Sequence, residues 1–250
     1  GPKSTSNSLG AQRGDGRINC VAFHPTDPNT LWAGTPAGGL WKTTNLGSTW
    51  TPLTDGLPSI GVSGIAVHPT NTNIIYILTG DGDGEDTKSI GVLKTTNGGD
   101  TWLSTGLSWL SLLDSVSVNR GFKLLMDPND SDILFAATND GVYRTTDGGV
   151  SWAQTFTELT FDIEFKPGDS DVMYLCGKAD FFKSEDNGVT WTEKTTGVPI
   201  NADRSALGVS PDDPSQVYIL AGNDGTNGSF ETPAGEFSGV FRSFNSGESF

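Results

Sequence analysis

The sequence predicts an all-β chain made of four-stranded antiparallel blades, the repeat pattern of a β-propeller. Two repeats and the composition predict it. An octapeptide of the form S/T-x-D/N-x-G-x-S/T-W/F occurs five times, at 43–50, 95–102, 145–152, 184–191 and 243–250. Upstream of each copy lies a proline turn, at Pro25, Pro69, Pro128, Pro167 and Pro211, with a short apolar run on either side. The chain carries 33 glycines in 250 residues and only 18% charged residues, as a turn-rich β protein does.

The unit reads strand, proline turn, strand, connection, strand, octapeptide turn, strand. In the first unit the strands fall near 18–23, 31–34, 39–43 and 49–53, and four more units follow. Approximate blade bounds are 16–57, 58–106, 118–158, 159–200 and 201–250, with 1–15 as a lead-in segment. From proline to capping Asp/Asn the spacing is 20 residues in the first unit, 28 in the second, 19 in the third and fourth, and 34 in the fifth. The chain stops at the aromatic of the fifth octapeptide, so five blades of a larger propeller are expected.

Each octapeptide position has a physical role. Asn45, Asn97, Asp147, Asp186 and Asn245 cap their own turns by accepting backbone N–H bonds. The glycine supplies a positive φ, and Trp50, Trp102, Trp152, Trp191 and Phe250 cover the turn with apolar area. These are structural positions.

The octapeptide resembles the Asp-box, or BNR repeat, of sialidases, sortilin-type propellers and xyloglucanase-type glycoside hydrolases. Running text such as Gly16-Arg-Ile-Asn-Cys-Val-Ala-Phe-His-Pro and Leu31-Trp-Ala-Gly-Thr-Pro-Ala-Gly-Gly-Leu-Trp-Lys is similar to large secreted surface proteins of Bacteroidota, described as sortilin-like, that often carry a C-terminal type IX secretion signal. The resemblance covers 16–250. It implies a secreted or cell-surface, outer-membrane-associated protein exported as type IX cargo, or an accessory component of that apparatus.

Strand order sorts the loops. Proline turns and octapeptides share one face, and the remaining connections share the other. The long connections 80–90, 104–119 and 222–238 all fall on that second face, where binding loops are expected. The first holds Asp81, Asp83, Glu85 and Asp86. Asp81, Asp83 and Asp86 form a possible calcium site, or else a solvated acidic loop. The second holds Trp109, either a platform for a sugar or partner or a cover over its own blade. Phe230 and Phe237 in the third carry the same alternatives. Arg17, Arg120 and Arg204 share a register before the proline turns. They are expected at a channel mouth, where they clamp a carboxylate or tie the first strand to a neighbouring link.

A formal charge of −15 argues against nucleic-acid binding, and no stretch is apolar enough to span a membrane. Cys20 and Cys176 are expected as free thiols, and His24 and His68 as turn surface. The resemblance implies a catalytic acid in a Thr-Asp-x-Gly-Gly stretch, and here that stretch is Thr35-Pro36-Ala37-Gly38-Gly39. Proline cannot transfer a proton. The reading is therefore a non-catalytic binding or display propeller that engages a protein partner or surface glycan. The alternative is a glycoside hydrolase, xyloglucanase-like or sialidase-like, whose acids lie outside this stretch.

Overall fold

A computed structural model describes residues 17–57, 60–83, 87–109, 119–199, 202–223 and 236–250. The expected all-β architecture of propeller blades is present, and no helix occurs among the described residues. The first sheet holds β1 (Cys20–Phe23), β2 (Leu31–Gly34), β3 (Leu40–Thr43) and β4 (Thr51–Pro52). The second holds β5 (Val62–Val67), β6 (Ile75–Thr79), β7 (Gly91–Thr95) and β8 (Leu103–Ser108). The third holds β9 (Gly121–Met126), β10 (Leu134–Thr138), β11 (Gly141–Thr145) and β12 (Ala153–Phe156). The fourth holds β13 (Asp162–Lys166), β14 (Asp169–Cys176), β15 (Phe181–Ser184) and β16 (Thr192–Glu193). The fifth holds β17 (Arg204–Val209), β18 (Val217–Asn223) and β19 (Glu236–Ser243). Within each sheet every strand pairs with the next in sequence, the meander that the double repeat predicts.

The chain forms two compact units. One runs to Met126 and takes in Gly149–Ser151; the other holds Asp127–Gly148 and Trp152–Phe250. In the first unit, Trp32, Leu40, Val62, Ile75, Ile77 and Leu93 make a core on which Cys20, Leu53 and Trp102 pack. In the second, Tyr174, Phe181, Val217 and Ile219 do so with Phe241 and Phe250. Burial is graded along each meander. β6 and β10 are buried at every residue, which explains their unbroken apolar runs Ile-Tyr-Ile-Leu and Leu-Phe-Ala-Ala. The outer strands β8 and β12 are largely exposed.

Two expected boundaries shift. The connection expected from 104 begins as strand, because β8 continues to Ser108. Phe237, expected in a loop, lies in β19 opposite Gly222. Both cysteines are free, and burial pushes the Cys20 thiol up to about 12. No helix among the described residues is long and apolar enough to cross a membrane.

Candidate functional site

The two ends of the sheets differ in what their polar groups do. At the octapeptide end the capping groups are satisfied within their own turns, while the side chains of Asn187 and Glu248 reach Arg144, Asp127, Lys183 and Lys194. The capping oxygen of Asn45 accepts from Thr49 N at 2.9 Å, that of Asn97 from Thr101 N at 3.0 Å, that of Asp186 from Thr190 N at 2.8 Å and that of Asn245 from Ser249 N at 3.0 Å. Asp147 accepts from the Thr145 hydroxyl at 2.7 Å. The hydroxyl that opens four of the turns accepts an N–H from its glycine, as Thr43 does from Gly47 at 2.9 Å. The residue before each glycine then donates its N–H to the proline turn of the same sheet. These bonds run from Leu46 to Asn29, Gly98 to Asn73, Gly148 to Asp132, Asn187 to Asp171 and Ser246 to Ser215, at 2.7–3.0 Å. The aromatics cover these turns. Trp102 Nε1 donates to Leu53 O at 2.9 Å, Trp191 Nε1 lies 3.4 Å from Thr155 Oγ1, and Phe250 meets Phe181 edge-on at 4.8 Å. Trp50 lies over Gly47, and the Trp152 indole N–H is buried.

At the opposite end of the first unit the connections are knitted to one another. Asn19 N donates to Gly34 O at 2.8 Å, Val62 N to Thr35 O at 2.9 Å, Gly80 N to Gly61 O at 2.8 Å and Ser89 N to Asn119 O at 3.1 Å. The Thr87 hydroxyl donates to the Pro36 carbonyl at 2.6 Å. The turn of 35–39 is therefore fixed from both flanks. Beside it is a cleft of about 200 Å³ lined by Ala37, Gly38, Gly39, Thr54, Asp55, Leu57 and Ile60.

Asp81 is fully buried here. Its carboxylate takes the Arg17 guanidinium and, at 3.3 Å, the Asn19 amide, while Asp83 N donates to it at 3.2 Å. This corrects the expectation for Asp81. Asp81 is an internal anchor and not an exposed loop acid, and Arg17 pairs across 64 residues with it. Asp83 is exposed, and Glu85 and Asp86 lie outside the described residues. Among the described residues no group of three or more His, Cys, Asp or Glu side chains is gathered to hold a metal.

Trp109 is only 7% exposed, with its N–H on Ile90 O at 3.2 Å, so it covers its own blade and offers no open platform. Phe237 is 69% exposed, and Phe230 lies outside the described residues. Arg120 sits over the Phe122 ring at 5.9 Å and Arg204 over Phe161 at 5.0 Å, each within its own unit. The histidines cap turns: His24 Nδ1 accepts from Asp27 N at 3.0 Å and His68 Nδ1 from Asn71 N at 3.2 Å. The sequence reading missed Asp55 and its cleft. Their only signal is the Thr54-Asp-Gly turn after a two-residue strand.

With this geometry in place, the comparisons with known proteins divide by reach. No family model matches the chain. The curated relatives are xyloglucanases. The chain is 30% identical over 149 residues to xyloglucanase Xgh74A of Acetivibrio thermocellus, a match spanning 56% of this chain and 18% of that protein. It is 28% identical over 149 residues to a xyloglucanase of a Paenibacillus species, spanning 56% of this chain and 14% of that protein. Among solved structures, an ancestral GH74 enzyme matches with TM-score 0.66 at 19% identity, over 90% of this chain and 32% of its own. The GH74 enzyme of Niastella koreensis matches with TM-score 0.62 at 24% identity, over 92% and 36%. YCF48 from Cyanidioschyzon merolae matches with TM-score 0.57 at 15% identity, over 96% and 85%. The solved structures establish the β-propeller fold.

The curated relatives overturn the reading of a non-catalytic display propeller. That reading rested on Pro36 standing where an acid was expected. One turn cannot decide the chemistry of proteins of which this chain matches less than a fifth. What it resembles is part of a carbohydrate-active enzyme.

Proposed function

We propose that this chain is a glycan-engaging propeller segment of a secreted glycoside hydrolase of the xyloglucanase kind. The observation that supports it is the 30% identity over 149 residues to a protein of that activity. Glycoside hydrolysis needs two carboxyl groups, one to protonate the leaving oxygen and one to activate water or attack the sugar. Pro36 supplies neither, and Asp81 is committed to Arg17. On this reading the segment contributes binding surface, and the paired acids come from the rest of the full-length protein. The same reading puts the protein outside the cell, with association at the outer membrane and type IX export as the finer expectation carried over from the sequence resemblance.

The test is release of reducing ends from xyloglucan. The full-length protein should hydrolyse it, and residues 1–250 alone should not. A folded full-length protein with no activity on xyloglucan contradicts the proposal.

A further inference from the structure

We propose that the open face of the fifth sheet docks a further turn of the octapeptide type, supplied by the rest of the full-length protein, with the turn's glycine on Tyr218 and an oxygen beside that glycine on Arg242.

The receiving half of this contact is built five times. One cation precedes each octapeptide: Lys42, Lys94, Arg144, Lys183 and Arg242. Each stands directly across its sheet from an aromatic, in order Trp32, Tyr76, Phe135, Tyr174 and Tyr218. Cross-strand partners share a face. Four of the cations lie over their rings, from 4.9 Å for Lys94 to 5.7 Å for Arg144.

The octapeptide of a following sheet supplies the other half. A Cβ on its glycine would lie 3.4 Å from the Tyr76 ring at Gly149, 2.5 Å from Phe135 at Gly188 and 3.3 Å from Tyr174 at Gly247, so the bare glycine seats on the aromatic. A residue flanking that glycine then meets the cation. Arg144 Nε donates to Asn187 O at 2.9 Å and Nη2 to Asn187 Oδ1 at 2.8 Å, and Lys183 Nζ donates to Glu248 Oε1 at 2.6 Å. Trp32, Tyr76, Phe135 and Tyr174 are all buried.

In the fifth sheet only the receiving half is present among the described residues. Tyr218 is half-buried, and Arg242 Nη2 turns back to Gln216 Oε1 of its own sheet at 2.6 Å. On the same face Leu220 and Val240, opposite each other, are 50% and 59% exposed, and Phe244 beside Arg242 is 66% exposed. Large apolar side chains gathered on one face and left in water mark a contact surface. Phe244 takes the place that Thr44, Thr96, Thr146 and Glu185 hold in the other octapeptides, and its ring lies 4.1 Å from the Arg242 guanidinium. Flanked by Tyr218 and Phe244, that guanidinium is set to exchange Gln216 for a carboxylate or amide oxygen of the incoming turn. In each seated case the same chain supplies the turn, so the occupant is a turn of this protein in cis.

The test is N-ethylmaleimide labelling of the full-length protein carrying Val240→Cys, read peptide by peptide so that Cys20 and Cys176 are counted apart. Leu103→Cys, at a position 74% exposed, is the reference. Val240→Cys should label roughly tenfold more slowly than the reference, because its thiol must wait for the face to open. The ratio should not change on dilution. Adding Arg242→Glu should remove most of that protection. Arg242→Lys should keep it, since lysine serves at this position in the fourth sheet. A cooperative thermal melt checks that each variant is folded. Labelling of Val240→Cys at the reference rate overturns the inference, as does protection that survives Arg242→Glu. Protection that disappears on dilution assigns the face to a second copy and overturns it as well.

Discussion

The octapeptide turn concentrates its strain in one residue. The residue before the glycine has positive φ in all five turns: Leu46 at 53°, Gly98 at 74°, Gly148 at 64°, Asn187 at 55° and Ser246 at 56°. A side chain in that region costs roughly 1–2 kcal/mol, least for Asn and nothing for Gly. Leu46 is the misfit and is 68% exposed, so its side chain gains little in return. Leu46→Gly should therefore stabilise the chain by about 1 kcal/mol in urea denaturation. At the cap, burial opposes the charge of Asp186, but bonds from Thr190, Ser184 and Val189 outweigh it and hold the carboxyl below its usual value of 3.8. A depressed carboxyl contributes stability above its unfolded pKa and loses it as pH falls through the folded value. Asn45, Asn97 and Asn245 show that an amide fills the same slot. Asp186→Asn should thus stay folded near neutrality and lose less stability than wild type between pH 5 and pH 3, read from melting temperature against pH.

At the scale of elements, the meander was legible because each strand ends in turn chemistry that the sequence spells out. The proline turn and octapeptide do more than end strands: in every sheet they bond to each other, which is why five copies keep one spacing to within local insertions. The face assignment followed from that connectivity. Side-chain destinations were less legible. Asp81 read as a surface acid because its run is polar, yet Arg17, distant in sequence, draws it inside. Trp109 read as either a platform or a cover because the residues around it break the repeat, and only the fold shows it turned back beside the start of β7. Asp55 drew no notice because only the folded turn at 35–39 gives it a cleft. Long-range pairing decides such cases, and no local pattern encodes it. The octapeptide aromatics are expected to fasten neighbouring elements: Trp102 donates to Leu53 O and packs on the first unit's core. Trp102→Ala should cost about 3 kcal/mol, the range for removing a large packed aromatic, measured by denaturant unfolding of the first unit.

For the molecule as a whole, the sheets within each unit present unlike ends. One end carries the octapeptide turns, and in the first unit the other carries connections of differing length that are hydrogen-bonded to one another. Under the proposed function, glycan contact falls at the second end and the octapeptides are structural. Asp147→Ala should accordingly cost about 1–2 kcal/mol through lost capping bonds and leave glycan affinity unchanged. The most direct measurement is amide hydrogen exchange of the full-length protein with and without a xyloglucan oligosaccharide. Protection should appear at 35–41, 54–57 and 80–83. Protection confined to the octapeptide turns, with none at 35–41 or 54–57, would contradict the account.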